Sequence, residues 1–500
     1  MTTAPTDSSA DSPGYLWPRW LFLRALGLIF FSAFYSLAFQ IHGLIGEKGI
    51  LPAGLYLEEI AANFGPITRI WYAPTLLWIA SGDRALTLVV AAGVIASIAL
   101  VFNIWPRLTV GLCTLLFLAC VAALQEFSSY QSDGMLLEAG FLSLFFAPSG
   151  VRPGLGANTP PSRFSLFMLR WEWFRIYFES GLVKLLSGDP HWRNFTAMDD
   201  YYQNGPLPAW PGWYIQHFPH WYHATTVVIT LGVELFVVWA VFLPRKFRIL
   251  CFAGVTALQI GIISTANYAF LNYLVLVLGV LLLDDRALSH IGLRLEPSLA
   301  PEAARSPLYR RAETIILGFA LYASVAAFLL GGSSSILALP DRLLEPFRIA
   351  NAYGLFAIMT PARYEIEFQG SDDGTTWTPY PFRYKPQNVM ERPGIYAPYQ
   401  PRFDWNLWFA SLAPWRANPW VVLVEERLLE GSPSVLSLFR KDPFGGKAPS
   451  MVRTVLYQYW FTDIATKRAT GAWWRRQELG PFSAMATRQP DGSIALSGGD

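Results

Sequence analysis

Charge is scarce in this chain. Asp, Glu, Lys and Arg make up 15% of its 500 residues, against about 25% in a soluble globular protein. Hydrophobic residues reach 53% and the mean hydropathy is +0.31. Together with several long apolar runs, this excludes an ordinary soluble domain and predicts an integral membrane protein. Cysteine is nearly absent too. Cys113, Cys120 and Cys251 are the three, all in apolar segments and none in a CxxC pair, so thiol–disulfide exchange lacks its nucleophile pair. The net charge of +2 gives no reason to expect a nucleic-acid partner. A P-loop, a GxGxxG after a strand, HExxH and a GxSxG elbow are all missing, which removes kinase, nicotinamide, zinc-protease and lipase chemistry. No cofactor is implied. Any chemistry would fall to polar groups inside the membrane segments.

Aromatic residues, by contrast, abound. The 20 Trp and 22 Tyr suit belts at the two membrane interfaces. Nine apolar segments are readable, at about 20–39, 85–102, 108–124, 134–147, 165–186, 224–243, 249–264, 267–283 and 314–331. The run at 134–147 is short for a span. The expected fold is therefore a polytopic α-helical membrane bundle of about 8–9 transmembrane segments over residues 16–335, with a disordered polar tail at 1–15. Trp20 onward reads as a retained first anchor, and the terminal SGGD is not a KDEL-type retrieval signal. With the N-terminus inside, Arg107, Arg152, Arg163, Arg245, Lys246 and Arg248 fall on the cytoplasmic side, and the outside connections before the last segment hold only Lys48, Arg69, Arg84 and Arg193. The positive-inside rule favours that orientation, which puts the loop 187–223 and everything after about 332 outside the cytoplasm.

The segment from Phe164 onward carries Arg170, Glu172, Arg175, Glu179 and Lys184 within an apolar helix. Charge at membrane depth is costly and needs a partner, a cavity or a site. Helical periodicity places Glu172, Arg175 and Glu179 on one face, with i,i+3 and i,i+4 spacings for ion pairs. Arg170 and Lys184 fall on roughly the opposite face, about 21 Å apart along the axis. Lys184 lies near the helix end beside Asp189 and Trp192. Depth alone pairs Lys184 with Glu138 and Arg175 with Glu234. Two readings stand: the charges tie buried helices together, or Lys184 and its neighbours line a site. Asp133 reads as a helix cap. His217, His220 and His223 recur every third residue, but Pro219, Trp221 and Tyr222 among them favour an interfacial loop over a metal centre.

Residues 332–345 read as a linker, after which the character changes. Over 346–500 the pattern predicts a soluble α+β domain with a partial β-sandwich. ARYEIEFQG alternates, and Asp373-Gly374 signals a hairpin whose return strand runs from Trp377 to Tyr384. Helical patterns follow near 404–413 and 419–439. Strands are expected at 451–461 and in GAWWRRQELGPF. Asp373, Trp377, Arg402, Asp404 and Trp405 are the candidate client-binding residues, with Arg402–Asp404 as a loop-ordering salt bridge or part of a binding surface.

Several long motifs carry a resemblance. FRIYFESGLVKLLSGDPHWRNFTAMDDYYQNGPLP, YQSDGMLLEAGFLSLFFAP, NAYGLFAIMTPARYEIEFQGSDDGTTWTPYPFRYKP, PYQPRFDWNLWFASL, LYQYWFTD and GAWWRRQELGPF resemble the lipase maturation factor family, in order and from about Trp17 to Phe482. Tyr399 stands where the family pattern implies a His. The resemblance implies a multi-pass membrane protein, in the endoplasmic reticulum if eukaryotic or the inner membrane if bacterial. It would act as a chaperone-like folding factor whose partners are the bilayer and a client lipase or other secreted protein, met by the extracytoplasmic C-terminal domain. A shorter stretch, SGLVKLLSGDPHW, resembles the active-site-lysine segment of vitamin K-dependent γ-carboxylases, although Pro190 and His191 separate Asp189 from Trp192. That implies an alternative: a membrane enzyme with Lys184 as base, tuned by Glu138 or Asp189 and supported by Arg175. A third reading is lipid binding or transport through a cavity around Glu172, Arg175, Glu179 and Glu234.

Overall fold

Apolar runs of the length seen here fold as helices because the bilayer leaves no water for unpaired backbone groups. In the computed structural model, which describes residues 14–128, 130–295 and 306–497, nine main helices match the nine apolar segments. They are α1 Leu16–Ala38, α2 Asp83–Val101, α3 Pro106–Val121, α4 Gln131–Phe146, α5 Arg163–Leu186, α6 His220–Leu235, α7 Arg245–Thr265, α8 Leu271–Gly279 and α9 Pro307–Leu330. Five are long and apolar enough to cross a membrane: α1, α2, α6 with its continuation to Phe242, α7 and α9. The others differ for visible reasons. α3, α4 and α8 are short, and α5 has 24 residues but carries the five charges. Boundaries follow local chemistry. The Ser162 hydroxyl accepts the Ser165 N–H at the start of α5, and Ser306 does the same for Tyr309 at α9, with Pro307 in the first turn. The tail expected over 1–15 lies outside the described residues as far as 13. Asp285 caps α1 from a distance by accepting the N–H groups of Leu16 and Trp17.

α1 runs through the middle, against α2, α3, α4 and α8. Its Phe22, Leu26, Phe30, Phe34 and Leu37 are fully buried. Gly93 lets α2 approach, since a Cβ there would meet the Phe34 ring at 2.3 Å. α6 and α7 are peripheral: only 28% and 17% of their apolar stretches are covered. Their exposed Val228, Ile229, Leu250 and Ile260 form a lipid-facing surface.

The C-terminal part holds one antiparallel sheet of six strands. They are β1 Arg363–Ser371, β2 Thr378–Pro379, β3 Met451–Phe461, β4 Trp474–Pro481, β5 Met485–Arg488 and β6 Ile494–Ser497. The order is β2-β1-β3-β5-β6, and β4 also pairs with β3. β1 and β3 pair from Arg363↔Tyr459 to Ser371↔Met451. The partial sandwich expected from sequence is thus a single sheet among the described residues. Its other layer is helical, with α10 Arg402–Ala410 against β1 and α11 Trp420–Leu429 against β3. The hairpin turns at Asp373-Gly374 as expected, with Gly374 at φ +72°. The Asp373 carboxylate accepts the N–H groups of Thr376 and Thr375, which hold its pKa below the usual range. The return strand stops after two residues rather than reaching Tyr384. Pro379 and Pro381 lack the N–H that a longer ladder needs. The expected linker is likewise short helical turns at Ile336–Ala338, Leu339–Leu344 and Glu345–Phe347.

Bundle and sheet share one core. Phe127 meets Trp420 at 5.3 Å between ring centroids, Tyr130 meets Trp405 at 5.5 Å, and the buried cluster runs from α1 to β5 without a break.

Under the sheet, Glu425 is fully buried and accepts a hydrogen bond from the Ser483 hydroxyl at 2.9 Å. Burial pushes its carboxyl from an ordinary 4.5 up to about 8. Burial likewise moves Asp404 from 3.8 to about 6. A carboxyl raised on folding favours the native state most below its unfolded value, and that contribution is lost as pH climbs through the native value. The thermal midpoint of the detergent-solubilised chain should therefore fall between about pH 4 and about pH 8. Glu425→Gln should flatten the upper part of that slope, from about 4.5 to about 8; an unchanged slope would refute the assignment.

Candidate functional site

α5 stands between α4 and α6 and also touches α8 and α9, so each of its faces meets a different neighbour. Arg175, 1% exposed, faces α4, where its guanidinium is bonded to Glu138. Its Nη1 donates to the Asn351 carbonyl at 2.5 Å, Glu179 lies 4.0 Å away, and the Tyr353 ring lies 5.2 Å from the guanidinium carbon. The second Glu138 oxygen accepts from the Asn351 amide at 3.0 Å and the Tyr353 hydroxyl at 2.8 Å. On the opposite face Lys184 Nζ reaches both oxygens of Glu234 on α6, at 2.9 and 2.8 Å, and sits 5.1 Å over the Trp192 ring.

The pairing is thus the reverse of the one depth suggests. Depth counts residues along the axis, but contact is decided by azimuth. Arg175 and Lys184 are nine residues apart, about 180° around the helix, and cannot serve the same neighbour. Arg170 also lies away from Arg175 and donates twice to the Leu281 carbonyl, satisfying the end of α8. Glu172, fully buried, forms no ion pair among the described residues, so the expected i,i+3 bridge to Arg175 is not made.

These side chains converge on the backbone of residues 351–360. Glu138 accepts the Asn351 N–H at 3.2 Å and Glu179 the Tyr353 N–H at 2.8 Å. Gln131 accepts the Gly354 N–H at 3.1 Å and the Ser180 hydroxyl the Leu355 N–H at 3.2 Å. Asp189 accepts the Met359 N–H at 2.6 Å, while Trp192 Nε1 donates to the Phe356 carbonyl at 2.9 Å and Asn204 to the Thr360 carbonyl at 2.8 Å. An irregular segment, with no strand beside it, has its backbone groups satisfied by the bundle.

Two further ties went unread in the sequence. Ser32 and Ser36 on α1, with Gln40 in the turn just after it, hold Pro398–Gln400. The Ser32 hydroxyl donates to the Pro398 carbonyl at 2.9 Å, the Gln400 N–H donates to Ser36 Oγ at 3.0 Å, and Gln40 donates to the Gln400 carbonyl at 2.9 Å and to the Tyr399 hydroxyl at 3.1 Å. A polar residue at every fourth position of an apolar helix is the signal that could have found them. Ahead of α8, Asn267 accepts the Tyr396 and Ala397 N–H groups at 2.7 and 3.1 Å and donates to the Gly394 carbonyl at 3.0 Å.

Arg402 and Asp404 do not pair with each other. Arg402 is fully buried and binds Asp133 with two nitrogens, at 2.7 and 2.8 Å, also donating to the Phe127 carbonyl at 2.7 Å. Asp133 does not cap α4, whose N-cap is Tyr130 with no side-chain bond; from the first turn it is a partner across the seam instead. Asp404 accepts the Tyr384 and Lys385 N–H groups at 3.1 and 3.2 Å. Trp405 is 8% exposed. Of the candidate client-binding residues, these three are covered at the seam. Asp373 is exposed on the hairpin and Trp377 lies half-buried there, under the Arg453 guanidinium at 4.1 Å. Of the three histidines expected in a loop, only His217 precedes α6, while His220 and His223 lie in its first turn, and they turn to separate partners: His217 to the Trp213 and Thr462 carbonyls, His220 to Asp199, and His223 to the Tyr202 ring.

The two halves of this seam are also the two halves of a known family. The profile described as lipase maturation factor transmembrane domain matches residues 17–290, and that of the lipase maturation factor C-terminal domain matches 349–484. The chain belongs to the lipase maturation factor family. Lipase maturation factor 1 of Mus musculus is 32% identical over 95% of this chain and 88% of its own length. Lipase maturation factor 2 of Homo sapiens is 30% identical over 93% of this chain and 82% of its own. No solved structure matches. As a lipase maturation factor family member the chain is a multi-pass membrane protein, and the 351–360 segment tied down by α4 and α5 opens the second matched block.

Removing one partner from a buried ion pair costs about 3–5 kcal/mol, because the other charge is left unpaired. Arg402→Ala and Arg175→Ala should each loosen the C-terminal part from the bundle, seen as faster limited proteolysis between residues 331 and 400. Exchanging both Lys184 and Glu234 for Met should disturb stability less than Lys184→Met alone. Equal losses would show that the pair contributes through packing only.

Proposed function

We propose that this chain is a membrane-embedded maturation factor for secreted lipases or similar clients. Residues 16–335 act as the bundle and residues 346–500 as the extracytoplasmic part that meets the client. The observation that carries this is the family match across both blocks, whose curated relatives are named for lipase maturation. Charge asymmetry across the loops supports the orientation, with the endoplasmic reticulum membrane as the location in a eukaryote and the inner membrane in a bacterium. Client contact is supported by apolar side chains left outside the sheet and its loops: Met390, Ile395, Ile464 and Leu479 are 45–54% exposed. Asp373 and Trp377, on the β1–β2 hairpin, are further candidates for that contact. The many ties at the seam would hold that surface at a fixed height over the bilayer.

The alternative with Lys184 as base rests on the short carboxylase-like resemblance. A base must first be free, and here the ammonium is engaged by both Glu234 oxygens and is 2% exposed. For transport, the side chains of Arg175, Glu138 and Glu179 are turned onto one another and onto residues 351–353.

In cells lacking their own maturation factor, the full chain should restore the yield of active secreted lipase. Ile395→Asp, Ile464→Asp and Leu479→Asp combined should lower that yield several-fold at unchanged chain level, while Lys184→Met at equal level should keep it. Full yield from the triple variant would place client contact elsewhere, and loss with a folded Lys184→Met would move function into the membrane.

A further inference from the structure

A cavity of about 390 Å³ opens beside the seam, within the range that holds small ligands. Its walls are aromatic. Tyr201, Tyr268, Phe356, Trp405 and Trp408 line it, with Tyr268 at 5.0 Å from Phe356 and 6.3 Å from Trp405 between centroids. Among the described residues no charged side chain lines it. Gln131 and Leu271, the first residues of α4 and α8, also line it, so it lies at the ends of bundle helices. Its rim is apolar and open, with Ile358 71%, Phe409 47% and Leu412 41% exposed.

Among the described residues, four polar atoms on its lining side chains lack a hydrogen-bond partner, the Tyr268 hydroxyl and three others. Trp405 Nε1, Trp408 Nε1 and Asn204 Oδ1 are buried without a hydrogen bond, on side chains only 8%, 7% and 2% exposed. An unmet buried donor costs about 1–3 kcal/mol, and two indole N–H groups beside one cavity ask for an acceptor.

The geometry points to a binding site for a single acyl chain whose carboxylate or ester oxygen takes the N–H of Trp405 or Trp408. The apolar lining suits a hydrocarbon chain, and the position at the bundle ends gives access from the adjoining leaflet. The volume, near the small end of the about 300–1,000 Å³ range of ligand pockets, suits one chain rather than two. A client peptide fits less well, because a peptide laid along a wall needs free backbone groups. Here the N–H groups of Gly354, Leu355 and Met359 and the carbonyls of Phe356 and Thr360 are already taken by the bundle. The site is separate from the exposed surface assigned to client contact.

The test uses the full chain in diacyl-phosphatidylcholine nanodiscs with two probes, a diazirine-bearing palmitate and a diazirine-bearing lysophosphatidylcholine. Cross-links are mapped by mass spectrometry. Labelling should concentrate on the peptides holding Ile358 and Phe409–Leu412 and be competed by excess palmitate. It should fall at least tenfold in Leu412→Asp, which charges the exposed rim, and in Ala357→Phe, which narrows the half-buried wall. Trp408→Phe keeps a ring but removes the donor, and should need several-fold more probe for half-labelling. Labelling by one probe or by both supports the acyl site and names its source. Labelling no denser than on the lipid-facing Leu250 and Ile260 of α7, or indifferent to both blocking variants, overturns it. So does labelling of the same peptides by a photoreactive apolar peptide but by neither lipid probe.

Discussion

The buried pair of Arg175 and Glu138 is the interaction on which the rest depends. Neither charge would be tolerable alone inside a helical bundle. Paired, they still leave spare lone pairs and protons, and the segment 351–355 supplies what is missing: a carbonyl for Arg175, and an amide, an N–H and a phenol for Glu138. The charges and the segment satisfy one another. Removing either would leave the other with unmet polar groups in a low-dielectric interior. A costly set of charges thus becomes the means by which a remote part of the chain is held.

The same logic repeats at a distance. Arg402 and Asp133 tie α10 to α4, Asn267 holds the loop at 394–397, and α1 holds 398–400. With Phe127 against Trp420 and Tyr130 against Trp405 filling the spaces between them, the C-terminal part is built onto the helices. It is not hung from a tether.

How much of this could be read in advance varies by level. The helices were legible because apolar length is a local property, and so were β1, β3 and the Asp373-Gly374 turn. The return strand was misjudged where Pro379 and Pro381 outweighed the apolar pattern. That Glu172, Arg175 and Glu179 share a face was legible from periodicity. Who pairs with whom was not, because Glu138 and Glu234 sit at suitable depths for either cation and only the side on which each neighbour packs decides. Arg402 looked like a partner for Asp404 two residues away, yet binds Asp133, 269 positions earlier. Local spacing cannot reveal such a bond. The family resemblance was legible because whole motifs carry it.

The stripe of Ser32, Ser36 and Gln40 has a consequence for the order of events during biosynthesis. These residues are made long before their partners, which lie 364 to 366 positions later for Ser36 and Ser32. At about 5–20 residues per second, the ribosome needs on the order of half a minute to deliver them. In the finished structure the same residues also close on their own backbone, Ser36 donating to the Ser32 carbonyl and Gln40 to the Ser36 carbonyl, bonds that need no distant partner. α1 thus gains these partners only late in synthesis. A chain truncated before Pro398 would present an unfinished polar stripe, by which an immature copy differs from a complete one.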